Sequence, residues 1–451
     1  MKGKNKGKSC ILLMMILALF VLCGCEGKYG DIYIEESSYE SRQLIEGWLA
    51  YKAQMEDTSK LADEAVAQQP KETVKKQEEQ TSQEVTENQQ ETEVQEKKPY
   101  VQTETQLAVE GAVVQPLTEH GFYYGNLSDS LKKVYDEMLD SMLQMKQVTI
   151  STLSEEQADF AFQCVLFDHP EIFYVSGYHI IKKTMDGSTI ELSFYGEYTL
   201  SKEEILERQK QIETYADTFC STLWDGMDEY EKVKAVYDYL ITNTTYNLEA
   251  PDNQNICSVF VNGQSVCQGY AEATQYLLQK LGMETAVVSG KVNEGNRHAW
   301  NLVKVNGAYY YIDTTWGDAD YRIIDENGEV AEEHLSSINY DYFLVTTSQL
   351  EKTHQIEAVI TMPVCMATAD NYYVREGLYF ESVDETQIAG AFRKAYESGR
   401  GTVTLKASND EVYAALKEYM ITNQKVFQYM DSSSIISYSE DARMGTLCFW
   451  L

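Results

Sequence analysis

Two strand-like runs, His298-Ala-Trp-Asn-Leu-Val-Lys-Val305 and Ala308-Tyr-Tyr-Tyr-Ile-Asp313, flank the dipeptide Asn306-Gly307. That combination predicts a two-residue hairpin, because Asn-Gly supplies the positive φ angles such a turn requires. About this turn Val305 opposes Ala308, and counting outward makes His298 and Asp313 diagonal neighbours on one face. An imidazole and a carboxylate are thus expected to meet there.

Just upstream, Tyr270, Ala271, Ala273, Tyr276, Leu277, Leu278 and Leu281 recur at helical spacing, and Gly282 is placed to end the helix. Cys267 then falls in the first turn. A thiol there meets unpaired N–H groups and the positive end of the helix dipole, which favour thiolate and make a nucleophile. With His298 as base and Asp313 as its orienter, the three form a nucleophile, base and orienter set in chain order. Read singly, each has a plainer role: an inert core cysteine, a strand-edge histidine, and a turn or cap aspartate.

The segments Gly263-x-x-x-Cys267-x-Gly269-Tyr270-Ala271, His298-Ala-Trp-Asn301 and Tyr311-x-Asp313-x-Thr315-Trp316 together resemble the transglutaminase-like superfamily, over roughly residues 228–318. The resemblance implies a papain-like α+β core in which a cysteine helix packs on an antiparallel sheet carrying histidine and aspartate. It implies Cys267 as nucleophile, His298 as base and Asp313 as orienter, with Tyr270, Trp300, Asn301 and Trp316 near the cleft. Gln264 is a candidate second oxyanion donor beside the backbone N–H of Cys267. The chemistry implied is cysteine-dependent acyl transfer or amide hydrolysis on protein or peptide substrates through a thioester, needing no cofactor and no metal. Two alternatives stay open: a cysteine peptidase of cell-surface or wall peptides, and a non-catalytic scaffold that binds wall components.

Lysines at positions 2, 4, 6 and 8 precede an apolar run from Ile11 to Cys23, too short for an ordinary membrane span. The run ends in Leu22-Cys23-Gly24-Cys25, which is similar to the bacterial lipoprotein motif. It implies cleavage after residue 24, lipidation of Cys25, and residence on the outer face of a bacterial cell membrane. Removal of residues 1–24 takes the net charge from −34 to −38. With no basic patch in the rest of the chain, nucleic acid is excluded as a partner. Beyond Cys25, the cysteines at 164, 220, 257, 267, 365 and 448 are scattered, with neither zinc-type spacing nor a compact disulfide framework.

The expected organisation is a signal at 1–24, a membrane-proximal segment at 25–51 holding a short helix, and a tether at 52–105. A helical leader at 106–227, a catalytic core at 228–362 and a small α/β domain at 363–451 follow. Residues 52–99 contain no Phe, Trp or Tyr and are rich in Gln, Glu, Lys and Thr, so they cannot bury enough surface to offset ordering. In the leader, Ser154 and Ser201 start helices with Gln157 and Glu204 three residues on, and Asp186-Gly187 turns between two strands. His169 reads as a turn histidine before Pro170. Residues 318–328 read as an acidic hairpin that lacks the register of a calcium loop.

Overall fold

The computed structural model describes residues 32–40, 73–75, 98, 100, 109–292, 295–324, 330–430 and 435–451. The signal, Cys25 and most of the tether lie outside these residues. The structure is α+β, and one continuous hydrophobic core runs from Val114 to Phe449.

In the leader, strands β1 (Ile32–Glu40), β3 (Val148–Ile150), β4 (Val175–Met185) and β5 (Ser188–Tyr198) form an antiparallel sheet in the order β1-β4-β5-β3. The leader is therefore not helical alone. Its helices follow the sequence signals: Ser154 accepts from the Gln157 N–H at the start of Glu155–Asp168, and Ser201 with Glu204 forms a reciprocal capping box at the start of Lys202–Ser221. The turn between β4 and β5 has Asp186 at φ 51°, as expected of an Asp-Gly turn. The short helix expected within residues 25–51 is instead strand β1. Its backbone completes the open edge of β4, and ladder pairing outweighs local preference there. The tether is interrupted similarly, since β2 (Thr73–Lys75) pairs with the outer strand of the C-terminal sheet.

The central region carries β6 (Thr245–Tyr246), β7 (Gln264–Ser265), β8 (Thr285–Val292), β9 (Asn296–Val305), β10 (Ala308–Ile312) and β13 (His354–Ile356). The last four make an antiparallel sheet ordered β10-β9-β8-β13. The hairpin has the expected register, with Ala308 opposite Val305 and Ile312 opposite Asn301, and Asn306 at φ 51°. The helix Cys267–Lys280 lies on this sheet, with Ala271 packed against Val287 and Ala299. Its far end reaches the leader. Gln275 Nε2 donates to Phe167 O (2.8 Å) and Gln279 Nε2 to Asp168 O (2.9 Å), satisfying carbonyls at the end of a leader helix.

Where a hairpin is expected, β11 (Asp318–Ile324) pairs antiparallel with β12 (Val330–Ile338). The C-terminal sheet is ordered β14-β15-β17-β16-β2, with β14 (Tyr379–Phe380), β15 (Thr402–Ala407), β16 (Ile435–Asp441) and β17 (Thr446–Trp450). Helices Glu385–Glu397 and Asp410–Lys417 accompany it. A buried link joins this unit to the central one: Lys406 Nζ donates to Asp341 Oδ1 (3.2 Å) and Thr446 Oγ1 to Asp341 Oδ2 (2.8 Å).

Candidate active site

Cys267 is the first residue of its helix and is partly exposed. Val266 before it is extended, and no acidic side chain sits in the first turn to offset the dipole. The glycine two residues on is required by packing: a Cβ on Gly269 would fall 2.1 Å from Ser265 Oγ and 2.6 Å from Ser258 Oγ. Those hydroxyls form a buried hydrogen bond (2.6 Å) that ties the loop before Cys267 to the helix Ile256–Phe260.

The sheet delivers the other two residues. His298 Nε2 lies 2.6 Å from Asp313 Oδ2, the diagonal contact across the hairpin, and both side chains are buried. Cys267 lies close enough to His298 for its sulfur to favour the protonated imidazole. Because Nε2 is engaged with Asp313, Nδ1 is the nitrogen left for sulfur. Burial alone would drive the His298 pKa down; the charge and hydrogen bond of Asp313, and then Cys267, outweigh it and raise the pKa to about 10. Burial likewise opposes ionisation of Asp313, but His298 and a second histidine hold its carboxyl well below the usual range.

That second histidine, His354, is on β13, and no sequence motif marks it. Its Nε2 lies 2.9 Å from the same Asp313 Oδ2, and its Nδ1 lies 2.8 Å from Thr353 Oγ1. Burial lowers its pKa; Asp313 opposes that and His298 reinforces it. Nothing near His354 in the chain announces this contact, because it arises from the pairing of β13 with β8, His354 opposite Val292. The contact depends on Gly290, where a Cβ would stand 2.1 Å from Gln355 O and 2.5 Å from the Trp300 ring.

Asp313 is fixed on every side. Its Oδ1 accepts the Trp316 N–H (3.0 Å) as cap of the short helix Thr314–Gly317. Its N–H donates to Tyr342 O (2.9 Å), and its carbonyl accepts from the Tyr237 hydroxyl (3.2 Å). The facing atoms of His298, Asp313 and His354 all lie within 4.8 Å of one another, a spacing that would also admit a metal ion. A metal would have to displace both imidazole protons now donated to Asp313, so the arrangement reads as a hydrogen-bonded cluster.

The remaining candidates separate. Trp300 is buried and lies beneath His298 (ring centroids 5.9 Å apart) and edge-on to His354 (5.0 Å). Trp316, half-buried, packs against both histidines (6.1 and 4.8 Å). Gln264 is exposed on β7, its Oε1 accepting from Asn247 Nδ2 (2.6 Å). Tyr270 and Asn301 are both buried and hydrogen-bonded. The Tyr270 hydroxyl donates to Asp318 Oδ2 (2.7 Å), and Asn301, fully buried, donates to Ala271 O (2.9 Å). His169 is a fully buried partner of Glu171, Nδ1 to Oε1 2.8 Å.

Residues 219–314 match the sequence model of the Transglutaminase-like superfamily, a span that holds Cys267, His298 and Asp313. Among solved structures the chain is similar to a TGase, at 20% identity over 31% of this chain and 44% of that one, with a TM-score of 0.23. It is also similar to a candidate cysteine protease from Cytophaga hutchinsonii, at 15% identity over 44% of this chain and 76% of that one, TM-score 0.21. A third likeness is to the periplasmic domain of TgpA from Pseudomonas aeruginosa, at 13% identity over 32% of this chain and 73% of that one, TM-score 0.17. The chain thus spans less than half the length of that TGase. No curated protein matches the chain.

Proposed function

We infer that the transglutaminase-like domain at residues 219–314 is a cysteine-dependent acyl transferase or amidase acting on protein or peptide amides. The observation that carries this reading is Cys267 at the head of its helix beside His298, whose imidazole is hydrogen-bonded to the buried Asp313 carboxylate. In it, the Cys267 thiol gives its proton to His298, and the thiolate attacks the carbonyl carbon of a bound amide. The oxyanion is met by the Cys267 N–H, which as the first helical N–H has no acceptor within the helix, and by Gln264 as the second donor. As the tetrahedral species collapses, the C–N bond breaks and imidazolium passes its proton to the leaving nitrogen, leaving a thioester. An amine or water then attacks the thioester, His298 takes its proton, and Cys267 departs as thiolate.

The Leu22-Cys23-Gly24-Cys25 motif supports a location for this chemistry: a chain lipidated at Cys25 and held at the outer face of a bacterial membrane. No helix among the described residues is long and apolar enough to cross a membrane. The test is incubation with a glutamine-containing peptide, with and without an amine acceptor, read by mass spectrometry beside Cys267→Ala. Amine incorporation identifies a transglutaminase, and hydrolysis alone identifies a peptidase or amidase. Equal product from Cys267→Ala would end the proposal.

A further inference from the structure

We propose that His354 is a positioning residue which, by donating a second hydrogen bond to the carboxylate oxygen that already holds His298, sets how tightly His298 keeps its proton. The inference rests on the function proposed above for Cys267 and His298, and its physical core is the convergence of two buried imidazoles on one oxygen. His298 Nε2 and His354 Nε2 stand 2.6 and 2.9 Å from Asp313 Oδ2.

The tautomer of His354 follows from its contact with Asp313, whose ionised carboxylate can only accept. Its Nδ1 faces the Thr353 hydroxyl at 2.8 Å, and a hydroxyl can donate into that nitrogen. The one proton of a neutral imidazole then sits on Nε2, directed at Asp313. Neutrality is what the surroundings favour, since a second imidazolium beside His298 in a buried site would be uncompensated.

The titratable groups around the pair come from four directions. Cys267 approaches from its helix, the Tyr237 hydroxyl from the helix Glu229–Asn243 meets the Asp313 carbonyl, Tyr342 packs on the His354 ring (5.4 Å), and Asp313 ends the hairpin. Both phenols are kept neutral by burial, reinforced by nearby carboxylates. Among these groups Asp313 is thus the fixed anion against which His298 titrates, and His354 is the donor that divides it.

A divided carboxylate binds each proton less tightly than an undivided one. For the reaction proposed this matters twice, because His298 must release its proton to the leaving nitrogen and then accept one from the incoming nucleophile. Too strong a hold on the proton slows the first transfer.

The test is a histidine-selective NMR titration of His298 on the full chain in a Cys267→Ala background, where no turnover is needed. His354→Leu is compared with His354→Gln, whose amide can still donate. Loss of one charge-assisted hydrogen bond should raise the His298 midpoint by about one pH unit, about tenfold tighter proton binding. His354→Gln should return it toward the parent. With Cys267 restored, kcat of His354→Leu should shift along pH in the same sense. A folded His354→Leu with an unmoved midpoint, or a His354→Gln displaced as far as His354→Leu, overturns the proposal. If His354→Leu does not fold, His354→Phe, which keeps a ring but no donor, must also raise the midpoint; no shift is equally fatal. Absence of turnover with the midpoint shifted would remove the proposed function and leave the positioning role standing.

Discussion

Asn301 Nδ2 donates to the carbonyl of Ala271 at 2.9 Å, which pins the strand that carries His298 to the helix that carries Cys267. The bond lies one residue beyond Trp300 and one turn beyond the cysteine, so it governs the separation of sulfur and imidazole without touching either.

Removing it should therefore cost both stability and alignment. Asn301→Ala is expected to lower unfolding stability by about 1–3 kcal/mol, the range for stripping a buried partner from a backbone carbonyl. It should also slow alkylation of Cys267. Denaturant unfolding with a single iodoacetamide rate measurement checks both, and unchanged alkylation would mean other contacts hold the helix in place.

Cys267 should be the fastest-alkylating thiol of the folded protein. It is partly exposed, whereas Cys164, Cys257 and Cys365 are buried and burial pushes each of them up to about 12. Peptide mapping after brief iodoacetamide treatment reads the order. Faster labelling of Cys257 would remove Cys267 as nucleophile.

Asp313→Asn should leave the hairpin paired and reduce turnover on the order of 10³–10⁴-fold, because an amide can fix the wrong imidazole tautomer and cannot stabilise its cation. Circular dichroism and turnover, taken on one preparation, check this. A loss below about tenfold would make the carboxylate structural.

The pH dependence of stability has a definite sign. His298 has a folded pKa raised to about 10, so its contribution is complete below its unfolded value, about 6.5, and is lost as pH rises through about 10. The Tm gap between the protein and His298→Gln should be widest near pH 6 and close steadily toward pH 10. A constant gap across that window would show that Asp313 does not stabilise the imidazolium.

Gly290→Ala should separate β13 from β8, since the added Cβ meets Gln355 O at 2.1 Å on one side and Trp300 at 2.5 Å on the other. Backbone cannot yield as a flexible side chain does, so a loss of about 2–4 kcal/mol is expected. Calorimetry checks the stability. Loss of the His354 to Asp313 contact should appear as a changed His354 resonance.

The hairpin was legible in the chain because everything that makes it is local: Asn306-Gly307 sets the register, and the register alone makes His298 and Asp313 diagonal neighbours. The helix starts at Ser154 and Ser201 were equally local. What escaped depends on pairing between distant segments. The segment of β1 reads as the place of a short helix until it meets the edge of β4, and His354 stands in no motif until β13 lies on β8. The partners of Asn301 and Tyr270, Ala271 O and Asp318, are likewise set by packing between distant segments that no motif announces.

The amides of Gln275 and Gln279, which close the end of a leader helix from the back of the cysteine helix, bear on how the chain unfolds. A fragment starting at residue 228 would keep both Cys267 and His298 yet strand two buried amides and the apolar face beneath them. The sequence match begins at residue 219, but the cooperative unit does not. Leader and core should melt in one transition, and hydrogen-exchange protection of the cysteine helix should fall to the level of the leader rather than exceed it.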